Sequence, residues 1–553
     1  MADERAKFAA QTDIDFVIIG AGASGGIIAR ELAAAGFRVV VLEQGPYLRE
    51  RDFEHDEFKY RQQRAITNDY DRQPNTFRMS EKEKAKVQPA IIYGRQVGGG
   101  TVHFTGNYWR FHEVDFIERS KLGPIAGTAF DDWPITYAEM EPYYTKTEWE
   151  LGVSGVPGPF DPPRSEPFPL PPLPIKSSGV LAERGAHKLG WHAAPAPMAI
   201  ISQPYRGRSA CLHCGFCEFF GCEANAKSST LATVIQEAEK TGRCEIRPNS
   251  YVRKIETDKA GRVTGVTYFD ENRRETFQAA KAVVLCANGA ETPRLLLMSK
   301  SSRFPDGLAN SSGKVGKYLM FNGHASATAL FEQPLNEFKS VAVSRVIHDF
   351  YDSDPKRGYY GGGGIDTRFV SYPINFALRG LPPDSPRWGA QYKAMLREHY
   401  TRSLNASGHT TSLPVDTNNI SLDPHVKDAW GLPVVRVTYK DHADDMKTMK
   451  FFQERCKELL EAAGAQKVWV RPVREQSFGF HLLGTCRMGN DPRSSVVDKY
   501  HRAHDVPNLF ICDGSSFVTS GRGQPTCTIQ ALAFRASEHI VRIAKNGEIK
   551  SAV

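Results

Sequence analysis

The side chains with the clearest chemical potential in this 553-residue chain are four cysteines packed into one short segment. Cys211, Cys214, Cys217 and Cys222 follow the pattern C-x2-C-x2-C-x4-C. Iron–sulfur clusters use repeated short spacings of this kind, although four thiolates also satisfy a tetrahedral zinc ion. Cysteines separated by two residues would make strained disulfide loops. We therefore expect an iron–sulfur cluster here, with structural zinc or a metal-free segment as the alternatives.

A second candidate for chemistry is His481, which lies in the segment FGFHLLGTCRMG between Gly479 and Gly484. An imidazole has a pKa near neutrality and can remove an alcohol proton while hydride leaves for an electron acceptor. A lone histidine is more often an ordinary core or surface residue. The residue type alone therefore leaves both interpretations open.

The glycines Gly20, Gly22 and Gly25 form a GxGxxG motif that predicts dinucleotide binding. An apolar strand is predicted at 16–19, a helix at 27–35 and a second strand at 38–42. Glu43 follows about twenty residues after the glycines, where an acid would accept the ribose hydroxyls. This stretch does not distinguish NAD from FAD.

Three later segments predict further ligand contacts on the same sheet. Residues 98–100 are consecutive glycines, where backbone can approach a ligand closely, and His103, Asn107 and Trp109 follow them. The run 281–299 indicates another strand and turn, followed by a helix at 291–299 with Pro293 at an early position. Pro525 precedes a predicted helix at 526–539, whose N-terminus would offer N–H donors to a bound cofactor.

The composition excludes several classes of protein. The hydrophobic fraction of 41% is typical of a globular protein, and no apolar run reaches the length of a membrane span. The net charge is +7 without a dense Lys/Arg block, which argues against a nucleic-acid surface. The charged start, MADERAKFAAQTD, lacks the apolar core of a signal peptide.

The order of the segments predicts more than one domain. Proline is dense from 155 to 174, which disfavours regular structure and indicates a crossing between domains. Residues from about 315 to 439 have mostly strand character, including the runs HASATALFE, TRFVSYPINFAL and PVVRVTYK. A helix is predicted at 441–463. We interpret 316–475 as a sheet-based substrate domain inserted into the cofactor domain.

Taken together, the motifs resemble the glucose–methanol–choline (GMC) oxidoreductases, flavoproteins that oxidise alcohols and sugars. The resemblance rests on GAGASGG with Glu43, GRQVGGGTVHFTGNYWR, VVLCANGAETPRLLLMS, HLLGTCRMG and DGSSFVTSGRGQPTCTIQALAFR. These motifs run in family order from residue 15 to the end of the sequence. The resemblance implies that the dinucleotide is FAD.

The resemblance also implies an α/β fold, α+β overall. A Rossmann-like FAD-binding domain assembled from separate segments would be joined to a six-stranded antiparallel substrate domain. The predicted segments are 1–150, 225–315 and 476–553 for the FAD-binding domain, 151–224 for the crossing and cysteine insert, and 316–475 for the substrate domain.

Within the family pattern, His481 corresponds to the catalytic base and Gln524 to a second active-site residue that is usually His or Asn. Glutamine can donate a hydrogen bond to the substrate oxygen but cannot take its proton. Alternatively, Gln524 points away from the substrate, and Asn107 or His103 takes the role of the second active-site residue. The cofactor-binding residues implied are Gly20, Gly22, Ala23, Ser24, Glu43, Gln44, Arg95, Gly98, Gly99, Gly100, Thr101, His103, Gly106, Asn107, Val252, Asp513, Gly514, Gln524, Pro525 and Thr526.

The cysteine segment resembles that of bacterial membrane-associated sugar dehydrogenases, and the GRGQPT region is similar to glucoside 3-dehydrogenases. This resemblance implies a 3Fe–4S cluster on some of the four cysteines, which passes electrons from FAD to a cytochrome c subunit. It also implies a small signal-bearing partner and a location at the periplasmic face of the inner membrane. A cytoplasmic location is the alternative.

The expected activity is the oxidation of a sugar or glycoside hydroxyl, at carbon 1 or carbon 3, with hydride passing to flavin N5. The enzymatic alternative is an oxidase that uses oxygen and holds its cysteines as structural zinc ligands or without metal. The alternative from another class is a subunit that retains FAD without catalysis.

Overall fold

The chain was analysed as a computed structural model, which describes residues 7–9, 12 and 14–549. The strands within these residues are β1 Ile14–Ile19, β2 Val39–Leu42, β3 Thr76–Arg78, β4 Lys86–Val87, β5 Ala193–Pro195, β6 Cys244–Arg247, β7 Tyr251–Thr257, β8 Val263–Phe269, β9 Glu275–Leu285, β10 Gly323–Leu330, β11 Arg345–Ile347, β12 Gly363–Arg368, β13 Ser403–Thr410, β14 Asn419–Lys427, β15 Pro433–Thr438, β16 Lys467–Val470 and β17 Leu509–Ile511. The helices are α1 Gly25–Ala34, α2 Glu113–Phe116, α3 Glu118–Leu122, α4 Tyr137–Leu151, α5 Ser177–Leu189, α6 Val234–Lys240, α7 Asn288–Met298, α8 Pro373–Arg379, α9 Gly389–Tyr400, α10 Ala443–Ala462 and α11 Thr526–Lys545.

The first sheet is built around a parallel core. Strands β6, β2, β1 and β9 pair in parallel in that order, and β17 pairs with β9 in parallel on its other side. Strands β8 and β7 extend the long strand β9 as an antiparallel pair. The parallel strands are buried on both faces, which is why β2 consists of four buried apolar residues. The carboxyl ends of β1, β9 and β17 therefore meet at one edge of the sheet.

The second sheet has six antiparallel strands in the order β16-β10-β13-β12-β11-β5. Its residues alternate between two environments. One face packs on α10 and α5 through small and apolar side chains such as Ala327, Ala406 and Phe452. The other face carries polar side chains. The α/β fold with an antiparallel substrate sheet, predicted from the sequence, is confirmed.

The pairing of strands departs from the predicted segments in two places. Strand β5 and helix α5, from 151–224, join the second sheet and its core. Strands β14 and β15, from 316–475, pair instead with β3 and β4 in a third sheet of order β14-β15-β3-β4. The five segment boundaries themselves stay a prediction.

One strand prediction within 316–475 was wrong. The run TRFVSYPINFAL contributes only its first two residues to β12, and Pro373 begins helix α8. Proline fixes a φ angle that suits the first position of a helix, and its missing N–H is not needed there. Among the described residues, no helix is both long enough and apolar enough to cross a membrane.

Candidate active site

The glycine-rich turn after β1 forms one end of a cavity of about 560 Å³. Gly20 has a φ of +95°, and a Cβ there would lie 2.5 Å from the carbonyl oxygen of Cys286. A Cβ on Gly25 would meet the carbonyl oxygen of Gly20 at 1.9 Å, so α1 packs on the turn as closely as the motif requires. Gly20 and Gly22 both line the cavity.

Glu43 lies at the end of β2 and is 6% exposed. Its Oε2 accepts a hydrogen bond from the Ala21 N–H and its Oε1 one from the Gly45 N–H, each at 3.0 Å. Burial raises the pKa of this carboxyl to about 7, against the lowering effect of the two backbone donors. Each oxygen retains a lone pair, and the residue lines the cavity. Glu43 can therefore also accept a hydrogen bond from a hydroxyl group of a bound ligand.

A second glycine-rich loop closes over the first. Gly99 begins a short 3-10 turn, Gly99–Val102, and a Cβ on Gly99 would lie 2.7 Å from Cα of Gly22. His103 follows this turn, and burial together with the charge of Lys227 lowers the pKa of its imidazole to about 4. Its Nε2 is buried without a hydrogen-bond partner in the described residues, and the residue lines the cavity.

The chain between β17 and α11 provides another side of the cavity. Asp513 accepts from the Asn288 N–H at 3.0 Å, the Thr292 hydroxyl at 2.6 Å and the Ser515 N–H at 2.8 Å. Burial nevertheless raises its pKa. Helix α11 begins at Thr526 with its N-terminus at the cavity, where unpaired N–H groups and the helix dipole favour an anionic group.

Most of the predicted cofactor residues come together around this one cavity. All of them line it except Arg95, Gly98, Gly106 and Asn107. Gly98 instead donates its N–H to the Ala21 carbonyl at 2.8 Å, which ties the two glycine-rich loops together. The Asn107 amide donates to Asp366 Oδ2 at 3.0 Å. The cavity extends from Glu43 to His481, as an elongated dinucleotide such as FAD requires, so the residues present fit this cofactor.

His481 and Gln524 line the same cavity, and the ring centroid of His481 lies 5.8 Å from that of His324 on β10. Its Nδ1 lies 3.0 Å from Oδ1 of Asn322. The Asn322 amide nitrogen donates to the carbonyls of Thr410 at 3.2 Å and Gly521 at 3.1 Å, which assigns the oxygen to the His481 side. His481 therefore carries its proton on Nδ1, and Nε2 remains free to accept one.

The imidazole of His481 is strongly biased towards its neutral form. Burial and the neighbouring His409 lower the pKa of His481 to about 3. A neutral imidazole with a free Nε2 is the protonation state that a general base requires. The structure thus brings the predicted base into the cavity in a competent state.

The polar face of the second sheet forms the opposite wall, which the sequence analysis missed. His324, Arg368, Asn405, Ser407 and His409 all line the cavity. The signal was available: polar side chains alternate along 403–410 at positions 405, 407 and 409, the period of a strand with one polar face.

Asp366, on the same face of β12 as Arg368, holds two side chains of this wall in place. Its Oδ2 lies 2.8 Å from His409 Nε2, and its Oδ1 accepts from Arg368 Nε at 2.7 Å. Burial alone would raise the pKa of Asp366, but Arg368 and His409 hold it below its usual range. The carboxylate stays ionised and fixes both side chains.

The four cysteines lie together beside the cavity. All have free thiols, and they line a second, small cavity of about 20 Å³. Lys227 is 2% exposed, and its ammonium donates to the carbonyls of Phe104, Cys217 and Phe220 at 2.6–3.0 Å. Glu218 and Phe219, which follow Cys217, line the main cavity. Adjacent residues of this segment therefore line different cavities: Cys217 lines the small one and Glu218 the main one.

Comparisons with known proteins agree with this arrangement. Residues 14–320 and 414–533 match two family models described as GMC oxidoreductase. The 2-methyl-1,2-propanediol dehydrogenase of Mycolicibacterium austroafricanum is 36% identical over 96% of this chain and 95% of its own. The fructose dehydrogenase large subunit of Gluconobacter japonicus is 30% identical over 96% of this chain and 98% of its own.

A solved structure of a formate oxidase has a TM-score of 0.67 at 14% identity, covering 98% of this chain and all of the other, and shares the fold. The two family models together match most of the chain, which shows the family. The chain belongs to the GMC oxidoreductase family and is an FAD-dependent enzyme acting on alcohol or sugar hydroxyl groups.

Proposed function

We propose that this protein is a dehydrogenase that oxidises one hydroxyl group of a sugar or glycoside and passes the electrons to an external acceptor. The observation that carries this proposal is the polar wall facing His481. His324, Arg368, Asn405, Ser407 and His409 offer donors and acceptors in one cavity, which suits a substrate with several hydroxyl groups.

Several side chains of the chain contact the substrate, and each has a different role. His481 Nε2 removes the proton of the reacting hydroxyl, while Asn322 keeps the other nitrogen protonated. The Gln524 amide donates a hydrogen bond to the same oxygen. Arg368, held by Asp366, binds a second hydroxyl and so fixes which carbon faces the cofactor. FAD, when bound, supplies the acceptor for the carbon-bound hydride.

We include an iron–sulfur cluster at Cys211, Cys214, Cys217 and Cys222 in the proposal. All four cysteines line one small cavity, so their sulfurs can reach a common centre. Their repeated short spacing, C-x2-C-x2-C-x4-C, is of the kind that iron–sulfur clusters use and supports the cluster over zinc.

Two further contacts suit a cluster carrying negative charge. The backbone N–H groups of His213 and Lys227 point at the sulfurs of Cys211 and Cys222 at 3.4 and 3.5 Å. The Lys227 ammonium is buried next to the thiols, and its acceptors among the described residues are three backbone carbonyls. Such a cluster would carry single electrons to an acceptor protein. We extend the proposal to a cytochrome c acceptor, a small partner subunit and a periplasmic location.

A small diol is the second candidate substrate. The relative that is 36% identical is a 2-methyl-1,2-propanediol dehydrogenase. A diol would use His481 and one wall residue but leave most of the polar wall without a partner. A sugar or glycoside remains our first choice of substrate, because the wall has contacts for more than two hydroxyl groups. Oxidation at carbon 3, the glucoside 3-dehydrogenase type, and oxidation at carbon 1 are both consistent with this choice.

The test is an anaerobic screen of free sugars, glycosides with a blocked anomeric carbon, and small diols. Substrate oxidation bleaches the flavin band at about 450 nm. Bleaching by glycosides supports oxidation away from carbon 1, and bleaching by diols alone would contradict the sugar proposal. A protein that holds FAD but is bleached by none of them would be a non-catalytic subunit.

Metal analysis of anaerobically isolated protein tests the cluster separately. Stoichiometric iron and sulfide with slow peroxide formation are expected. Zinc or no metal at the cysteines, with fast peroxide release in air, would identify an oxidase instead.

A further inference from the structure

Three side chains outside the main cavity, two of them buried and one partly buried, converge on one point. His112, Asp161 and His348 each present a ligand atom, and these atoms all lie within 4.8 Å of one another. His112 is 7% and His348 6% exposed, and Asp161 Oδ1 lies 3.6 Å from His348 Nδ1. None of the three lines the cavity that holds His481.

The site has hydrogen-bonding capacity that no described residue satisfies. Nε2 of His112 is buried without a partner among the described residues, and Nδ1 of His348, the ring nitrogen that faces Asp161, lies 3.6 Å from Asp161 Oδ1, which is long for a hydrogen bond. A buried ring nitrogen in this state usually indicates an ion or water that completes it. The rings are also held in place: His112 stacks on Tyr351 with centroids 3.5 Å apart, and Trp109 packs edge-on against His348 at 5.0 Å.

The donor set indicates which ion fits. Two imidazoles and one carboxylate are ligands that zinc prefers, whereas magnesium and calcium prefer oxygen alone. Ligand atoms around a tetrahedral zinc lie about 3.4 Å apart, close to the Asp161–His348 separation. We propose that His112, Asp161 and His348 bind one Zn²⁺ ion, with water at the fourth position.

The ion would connect three parts of the chain that are distant in sequence. His112 precedes α2, Asp161 lies in the proline-rich crossing, and His348 follows β11 of the second sheet. Trp109 packs against both His348 and His409, with centroids 5.0 and 6.0 Å apart. The zinc site therefore lies behind the polar wall, where it fixes the crossing to the substrate sheet and takes no part in the chemistry.

The test measures zinc binding to the FAD-loaded enzyme and to its Asp161→Asn variant. Asp161→Asn keeps the side-chain volume but weakens the ligand, so we expect zinc affinity to fall at least about tenfold. The melting temperature of the wild type should rise on adding Zn²⁺, and that of the variant should not. Asp349→Asn is the matched control, because this neighbouring carboxylate pairs with His192 outside the cluster. His348→Gln should reproduce the loss.

The cysteines could also bind zinc, so the readout must separate the two sites. Co²⁺ bound through imidazole and carboxylate gives ligand-field bands without the charge-transfer absorption of thiolate ligands. We expect such bands in the wild type and in Cys214→Ser, and their loss in Asp161→Asn. The proposal is wrong if the wild type takes up no metal at His112, or if Asp161→Asn binds zinc as tightly as the wild type.

Discussion

Nδ1 of His481 and Oδ1 of Asn322 lie 3.0 Å apart, with the amide nitrogen of Asn322 committed to backbone carbonyls. This relationship determines which nitrogen of the imidazole can take a proton. It also separates the tasks of the two residues, because Asn322 orients the ring and His481 reacts. Their substitutions should therefore have different kinetic consequences.

His481→Gln should slow flavin reduction by substrate about 10²- to 10⁴-fold, because no other side chain in the pair can take the proton. FAD content should be unchanged, because the substitution leaves Glu43 and both glycine-rich loops intact. Stopped-flow absorbance under anaerobic conditions measures the rate. His539→Gln, on α11 and stacked on Tyr500, is the control and should reduce its flavin normally. An unchanged rate in His481→Gln would exclude its role as base.

The pH profile of kcat/KM should respond to Asn322→Asp. With a pKa of about 3, His481 is neutral between pH 5 and 8 and contributes no acid limb there. A carboxylate beside Nδ1 favours the imidazolium form and raises the pKa of His481. On the acid side of the profile, the variant should therefore lose activity at a higher pH than the wild type does. Asn418→Asp, a buried asparagine that pairs with the backbone of Lys440, should leave the profile unchanged. Identical profiles would contradict the Asn322 assignment.

Arg368→Gln should raise KM for a glycoside about tenfold or more and should also destabilise the fold. The loss of stability, about 3–5 kcal/mol, arises because Asp366 would remain buried without its cation. Adding Asp366→Asn should restore much of the melting temperature but not the KM. If the double variant recovers both, Arg368 acts only on stability.

Cys217→Ser should leave flavin reduction by substrate unchanged but slow electron transfer to cytochrome c. The reason is the position of Cys217, one residue from Glu218 at the main cavity. Iron content should fall in parallel. Cys244→Ser, in β6 and outside the cysteine segment, is the control. Equal rates of cytochrome reduction in both variants would rule out a relay.

Gly99→Ala should lower the FAD content of the purified protein, because its Cβ would lie 2.7 Å from Cα of Gly22 and push the two loops apart. Gly36→Ala is the matched control. Gly36 also has a positive φ, of +101°, but a Cβ there meets nothing within 4 Å. This control should cost about 1 kcal/mol of stability and keep its FAD. Full FAD occupancy in Gly99→Ala would show that loop contact is dispensable.

Local sequence patterns predicted the cofactor end of the molecule well. The strand before Gly20, helix α1 and Glu43 depend on neighbouring residues, and the helix begins only two residues before its predicted start. Prediction was poorer where distant residues intervene. The helix at 291–299 was expected to have Pro293 near its start, yet α7 begins three residues earlier, at Asn288, which puts Pro293 inside it. The Gly289 carbonyl, which proline leaves without its helical N–H, accepts instead from the Thr485 hydroxyl at 2.8 Å.

The sequence by itself determined the family, the cofactor class and the candidate base His481, because these follow from motifs whose residues are close together in the chain. Only the tertiary structure decided what surrounds that base. Asn322, just before β10, and His409, on β13, reach His481 only when the strands of the second sheet pair, and Asp366 on β12 holds His409. Alternation along a strand indicates which side chains share a face, but the face that meets the cavity is chosen by long-range packing, here of α10 against the apolar side of the same sheet.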